Sequence, residues 1–489
     1  MTHKDENIRL LVSLGIAGVM VAVILWLVSK VASKPISTPS TPSMVNSSGM
    51  PIASTPEWMS IGDKILVTAD KTDEKVAGVN AFKAGDFGTA IIKFQASLQS
   101  QRNDPETLIY LNNAKIGRSK SLKVGVLASI GSSLNEAKET LRGVAQAQEE
   151  VNSSGGINGV PLQLEIASLN NFGDLEKIDT ELAKDSNLLA VVGFGRNNKL
   201  YQQSGLVRVS PSSGRTQPGQ NQAQFLMDSK YVFNVSPNRN IFNQTLAEYI
   251  VKKERRTNIA ICRDSSFRTT QETSNQERSN QEIVKEYTDL IGKAGGKVTA
   301  TDCDLGAANF RASDFIAKAT SDGAEAILLI PRINNINPAL DVAKENRGRL
   351  ALFGSQQLYG EKILKYGQGD IKGMVISVPW HRDANRNMSK GNSFAEKAAK
   401  LWGGDVSPRT ATAYDALQVI IAGLKEDSTR KGLQKVLSNP NFSAMGATGK
   451  IQFSPSGDRQ GGVFLVKIQP CESGKPCASS TGYDFVLLQ

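Results

Sequence analysis

Five residues, Ser129-Ile130-Gly131-Ser132-Ser133, four of them small, gather backbone N–H groups and hydroxyls at one point of this 489-residue chain. An apolar run with Val124, Val126 and Leu127 precedes them, as expected of a parallel strand buried on both faces. An amphipathic helix follows, with apolar residues at Leu134, Ala137, Leu141, Val144, Ala145 and Val151, and with Gln148 interrupting the stripe. Ser154-Gly155-Gly156 ends it, since glycine tolerates the left-handed helix cap. A polar loop between a strand's carboxyl end and a helix's amino end is where open α/β sheets hold ligands, anions above all.

Other chemistry is excluded by what the chain lacks. His3 and His381 are its two histidines, which rules out a histidine-based triad, relay or multi-histidine zinc site. Gly193-Phe194-Gly195-Arg196-Asn197-Asn198 begins like a dinucleotide fingerprint, but Asn198 stands where the third glycine belongs and the turn is not the first of its domain. No Walker sequence, nucleophile elbow or catalytic carboxylate pair is present. The expectation is a non-enzyme without cofactor or metal. Four cysteines, without a C-x-x-C, fit an oxidising compartment. Cys471 and Cys477 flank a short loop that a disulfide could close; Cys262 and Cys303 end consecutive predicted strands. The alternative is four inert buried thiols.

Hydrophobic content of 40% is that of a globular protein, and the length suits two or three domains. Lys and Arg are scattered and aromatics are 6%, against a nucleic-acid-binding stripe. The densest basic cluster, Lys252, Lys253, Arg255 and Arg256, closes a predicted helix, where cations complement the dipole. Leu10 to Val28 is 19 residues without a charge, about 28 Å of helix and enough for a bilayer core. It reads as an uncleaved single-pass anchor after a short cytoplasmic tail (1–9), although Val31-Ala32-Ser33 would serve as a cleavage site. Residues 29–57 form a Ser/Thr/Pro-rich spacer. This places the bulk of the chain outside the cytoplasm, in the periplasm.

Residues 58–118 are helical in pattern. From 121 onward strands and helices alternate as in a parallel α/β protein too large for one lobe. Predicted strands fall at 122–128, 162–168, 188–193, 206–209, 230–235, 257–263, 297–303, 324–331, 350–354 and 373–379. A terminal meander is expected over 449–454, 462–469 and 483–489. Residues 216–228 look like an insertion, and 268–281 like a polar loop running into a helix.

Two resemblances add to this. "AGVNAFKAGDFGTAIIKFQASL", with Gly78, Phe87, Ala90 and Phe94, resembles a tetratricopeptide unit, which implies a docking site for a peptide or a helical cap on the next domain. "KVGVLASIG", "EEVNSSGGINGVPL", "LLAVVGFG", "LVRVSPSS", "DFIAKATSDGAEAILL", "AYDALQ" and "GATGKIQFSPSGD" resemble the type I periplasmic solute-binding proteins, the branched-chain amino acid receptor family. That resemblance implies a two-lobed fold over 121–489, parallel sheets flanked by helices, and three crossings between lobes near Pro237, Gly360 and Thr448. Lobe one would hold 121–237 and 361–447, lobe two 238–360 and 448–489.

It also implies a ligand cleft between the lobes. Ser129 and Ser132 would line its first loop, Arg196 and Asn197 the second, and Ser210, Ser212 and Ser213 the third. Asp264, Phe267 and Arg332 would close it from lobe two. Gly214 stands where amino acid receptors tend to have Thr, Phe267 lacks the usual tyrosine hydroxyl, and no acid is evident to meet an ammonium. Two cleft cations with no matching carboxylate argue against a simple zwitterionic amino acid and suit an anionic or peptide-like ligand, or no ligand at all. The function expected is capture of a small polar ligand (amino acid, amide or anion-like) between the lobes for an ABC-type transporter or receptor, with a transporter permease or another membrane protein as partner. The alternative is a protein-interaction module with a degenerate cleft, regulating a membrane or cell-wall synthesis complex.

Overall fold

The computed structural model describes residues 56–170, 174–194, 198–213, 230–265, 273–332, 335–384, 393–472, 477 and 479–488. The apolar segment 10–28 and the insertion 216–228 lie outside them. Among the described residues no helix is long and apolar enough to cross a membrane.

Two seven-stranded sheets form the two lobes. In lobe one the parallel strands β2 (Leu122–Ala128), β3 (Leu162–Ser168), β4 (Leu188–Val192), β5 (Val207–Ser213) and β6 (Val232–Pro237) lie in the order β3-β2-β4-β5-β6. The short β1 (Met59–Ser60) adds antiparallel to β3, and β14 (Asp458–Arg459) lies beside β6. Val124 and Val126 face a core shared with the helices Leu134–Ser153 and Pro408–Glu426, while Leu127 faces the opposite layer. The two helices meet at Gly143, where an added Cβ would lie 2.5 Å from the Tyr414 backbone N; only glycine allows that approach.

Lobe two repeats the pattern. The parallel strands are β7 (Asn258–Arg263), β8 (Lys297–Val298), β9 (Ala326–Ile330), β10 (Ala351–Gly354) and β11 (Val375–Val378), ordered β11-β10-β9-β7-β8. The hairpin β15 (Phe464–Pro470) and β16 (Tyr483–Leu487) pairs antiparallel along β11. β8 is only two residues long; Thr299 N still donates to the Ile259 carbonyl at 2.9 Å, and the chain bends at Ala300 into the run that carries Cys303.

Two expected crossings are corrected. Residues 361–378 belong to lobe two, since Ile363, Leu364, Ile371 and Met374 fill its core and β11 its sheet. The chain therefore returns to lobe one after Val378, not near Gly360. The hairpin β12 (Ala444–Gly446) and β13 (Gly449–Ile451), then β14, stay with lobe one, so the last crossing falls at 460–463 and not at Thr448. The expected terminal meander is thus split between the lobes.

Residues 58–118 do form helices, Asp73–Lys83, Phe87–Ser100 and Pro105–Ile116. Gly78 admits the Phe94 ring, where an added Cβ would lie 2.6 Å from it. The third helix, however, is buried on nearly every side and serves as a layer of lobe one. Its Asn113 donates to the carbonyls of Ile61 (2.8 Å) and Leu164 in β3 (2.7 Å) and accepts from Gln148 (2.9 Å). Gln148, which interrupts the apolar stripe, is therefore a fully buried polar rivet between this layer and the sheet.

Candidate functional site

The core strands of each sheet run parallel, and the chain leaves β6 and β11 at their carboxyl ends to change lobe. The carboxyl edges of both sheets therefore face the junction, and the loops on those edges form the candidate cleft.

On lobe one, the first loop is drawn into a tight turn. The Ser129 carbonyl accepts from Ser133 N at 2.7 Å and Gly131 N donates to the Leu169 carbonyl at 3.3 Å. Gly131 is required by close approach, since an added Cβ would sit 2.8 Å from the Asn170 Cα. The Ser129 residue is buried, and the Ser132 Oγ, also shielded from solvent, has no hydrogen-bond partner. An unpaired buried hydroxyl costs roughly 1–3 kcal/mol, which makes Ser132 a candidate ligand contact on this edge. The Ser210 Oγ accepts from Ser212 N at 3.2 Å, so it shapes its own turn, and the β5–β6 register shifts between Ser210 and Ser213. Arg196, Asn197 and Phe267 lie outside the described residues, as do Gly214 and Ser266.

On lobe two, the cleft edge is a polar knot. Buried Asp264 accepts from Arg332 N at 3.2 Å and from Asn335 Nδ2 at 2.9 Å, tying the loop after β7 to the loop after β9. Asp304 accepts from Ser265 N at 2.8 Å and from the Ser265 hydroxyl. Burial pushes the Asp304 carboxyl up, but these bonds and one from Gly306 N hold it below its ordinary range. Burial pulls the Arg332 guanidinium down, with Asp264 and Asp304 opposing. Cys262 and Cys303 form a disulfide beneath this knot, with Cα atoms 4.6 Å apart. Cys471 and Cys477 form the second, at 5.5 Å. The pairing that the sequence left open is thus formed at both places, and Cys471, Cys477 and nearby Asp484 are not a free metal-binding trio.

Sequence reasoning missed several groups. Arg208, 4% exposed, donates to Asn198 Oδ1 at 2.8 Å and lies 4.8 Å over the Tyr201 ring, whose hydroxyl meets Asp179 at 2.5 Å. Its signal was alternation: Val207 and Val209 face the core, which places Arg208 and Ser210 on the other face. Nothing in the sequence pattern marks Asn335 or Asp304 as partners of the Asp264–Ser265 loop.

Facing sheet edges, three crossings and hydroxyl-bearing loops define a two-lobed α/β binding protein. The periplasmic binding protein family model matches residues 121–475, and the chain belongs to that family, in its type I branch. No curated protein matches it in sequence. Among solved structures it is similar to an ABC transporter substrate-binding protein from Sphaerobacter thermophilus (15% identity, TM-score 0.61, 76% of this chain and 97% of that one). It is similar to the branched-chain amino acid transporter substrate-binding protein LivJ from Streptococcus pneumoniae in complex with isoleucine (16%, 0.56, 76% and 100%). It is also similar to an ABC transporter solute-binding protein from Rhodopseudomonas palustris in complex with 3,4-dihydroxybenzoic acid (12%, 0.59, 75% and 96%). The family match starts at residue 121, so no tetratricopeptide identity is shown for the helices before it.

Proposed function

We propose that this chain is a membrane-tethered, extracytoplasmic receptor that captures a small ligand bearing a carboxylate or similar anion between its lobes, without chemical conversion, for an ABC-type permease. The observation that carries this reading is the unpaired Ser132 hydroxyl on the cleft edge of lobe one, opposite a lobe-two edge that carries Arg332. The apolar segment 10–28 supports the tether and the spacer 29–57 the reach. The two disulfides support an oxidising location such as the periplasm. Ligand binding would close the lobes, because only the closed form lets both edges touch it.

Thermal-shift measurements against amino acids, amides and aliphatic and aromatic carboxylates test the reading, since a ligand of the folded state raises apparent stability. A carboxylate is expected to raise the melting temperature of the wild-type protein and not of Ser132→Ala. No shift with any compound sinks the proposal.

A second reading, a protein-interaction module with a degenerate cleft, is favoured by one observation. Asp264 and Ser210 spend their hydrogen bonds on loops of the protein itself. Affinity capture from membranes separates the two: a permease supports the receptor and a cell-wall synthase supports the module.

A further inference from the structure

The second crossing changes lobe within two residues. Trp380 packs in the lobe-one core, 5.6 Å from the Phe394 ring. His381, fully buried, meets the Phe485 carbonyl of β16 in lobe two through Nε2 at 2.9 Å, and its Nδ1 accepts from Asp383 N at 3.3 Å. Burial, then the neighbouring Arg382 charge, pull the imidazole below its ordinary value; this fits a neutral ring whose Nε2–H donates. Phe485 in turn stacks on Tyr359, with ring centroids 4.0 Å apart.

Arg382 then reaches in two directions. Its Nη1 lies 2.9 Å from Asp405, in the lobe-one turn between the helices Phe394–Trp402 and Pro408–Glu426. Its Nη2 lies 2.5 Å from Asp484 of β16 in lobe two. One guanidinium thus holds one carboxylate from each lobe at the point where the backbone passes between them. The geometry points to Arg382 as an electrostatic strut of the hinge, fixing the pivot about which the lobes turn. A planar fork suits this role, because its donors leave in fixed directions and bind both oxygens without a change of rotamer. Lysine, a point charge on a flexible stem, would hold both carboxylates but not fix their angle. Neither of the other two crossings has a cation between carboxylates of both lobes among the described residues. Near the first, Asp458 accepts from the amides of Asn234 in lobe one and of Asn238 at the start of lobe two, neither of them a cation, and the third passes through Gly461-Gly462. The strut therefore has one place to act.

The inference rests on reading the lobes as parts that move relative to each other, but not on any ligand. All four cysteines are in disulfides, so Lys177→Cys in lobe one and Lys285→Cys in lobe two, both exposed, give two unique labelling sites. Single-molecule energy transfer between them, in the unliganded full chain, reads the distribution of lobe separations. Arg382→Gln is expected to widen that distribution roughly twofold, and Asp405→Asn and Asp484→Asn each to widen it too, because either loss frees one lobe. Arg382→Lys is expected to fall between. Circular dichroism on each variant confirms folding, and the lysine variant keeps the test available if the glutamine variant misfolds. Distributions that superimpose on the wild type, or widening in Asp405→Asn without widening in Asp484→Asn, overturn the strut. If no compound narrows the wild-type distribution, the solute-receptor reading fails while the strut stands.

Discussion

The two lobes carry similar sheets and secure them by different means. Lobe one gains a layer of helices from residues 56–118, riveted by Asn113 and Gln148 and by ion pairs such as Lys138–Asp70 (2.7 Å). Among the described residues lobe two has no such layer, and it holds both disulfides. The likeness extends to where the reinforcement sits: the layer backs β3 and the first-loop helix, and Cys262–Cys303 backs the loop that holds Asp264. Each lobe is stiffened next to its cleft edge, lobe one by added packing and lobe two by a covalent link.

The sharpest way to break the comparison is to remove the keystone of the added layer. Lys75 is fully buried, 2.7 Å from both Asp104 and Glu106. Glu106 also accepts from Leu66 N (2.7 Å) and from the Tyr110 hydroxyl (2.9 Å), and Asp104 caps the third helix through Thr107 N. Burial alone would push the Lys75 ammonium down; Glu106 and then Asp104 more than reverse this. Lys75→Ala leaves two carboxylates buried without their cation, which costs about 3–5 kcal/mol. Hydrogen exchange is expected to rise across 56–118 and β3 while lobe two keeps its protection. Equal loss in both lobes would show that the layer serves the whole molecule.

The converse experiment acts on lobe two. Replacing Cys262 and Cys303 by Ser reopens a loop with a sequence separation of 41 and is expected to cost about 4 kcal/mol by chain entropy. The Cys471–Cys477 pair, with a separation of 6, should cost about 2 kcal/mol by the same model. Denaturation followed by lobe-specific exchange would rank them, and a larger loss at the short loop would refute an entropic account.

Acid should act differently on the two lobes. In lobe one burial raises the carboxyls of Glu165, Asp179 and Asp405, and raises Asp415 to about 6. Asp415 is fully buried, accepting from Ala447 N and Thr448 N (3.3 Å) with Arg459 at 3.5 Å. A carboxyl raised on folding binds its proton more tightly in the native state, so this contribution grows as pH falls from about 6 towards 4 and vanishes above. For Asp415 it amounts to at most about 3 kcal/mol. Among the described residues of lobe two the shifted carboxyls, Glu254, Asp304, Asp322 and Glu325, are all lowered. Their contribution is present near neutrality and is lost as pH falls through 4. Asp86, Asp185 and Asp427 of lobe one are lowered as well and blunt the contrast. Melting between pH 7 and 4 should show lobe one gaining on lobe two, and Asp415→Asn should flatten most of that gain.

How far these features could be read in advance depended on their range in sequence. β2 and β3 fall where the apolar runs end, because a strand buried on both faces has few ways to be misplaced. The crossings near 360 and 448 did not, because which lobe a helix joins is decided by packing: Ile363 and Leu364 fit either amphipathic pattern, and only their contacts assign them to lobe two. The polar partners were least legible. Asp264 and Asn335 are 71 residues apart, and no local periodicity links a carboxylate to an amide that far along the chain.

The smallest expected effect probes that last point. Asn335→Ala removes one of the bonds to Asp264 and leaves the bond from Arg332 N in place. The lost hydrogen bond to a charged acceptor is worth about 1.5–3 kcal/mol in a well-ordered site, less here because the loops remain joined by Arg332 and by the disulfide below. Melting temperature should therefore barely change, while the Asp264 oxygen shared by the two donors loses one of them. If Asp264 only braces the loop, ligand-induced stabilisation stays as in the wild type. If anionic ligands bind near Arg332, the Asp264 carboxylate, with one donor fewer, competes more strongly for the same cation and their stabilisation falls severalfold, with no change for a neutral amide. That charge-selective loss would place Arg332 at the ligand, in the lobe stiffened by sulfur, and would leave the helical layer of lobe one with support as its role.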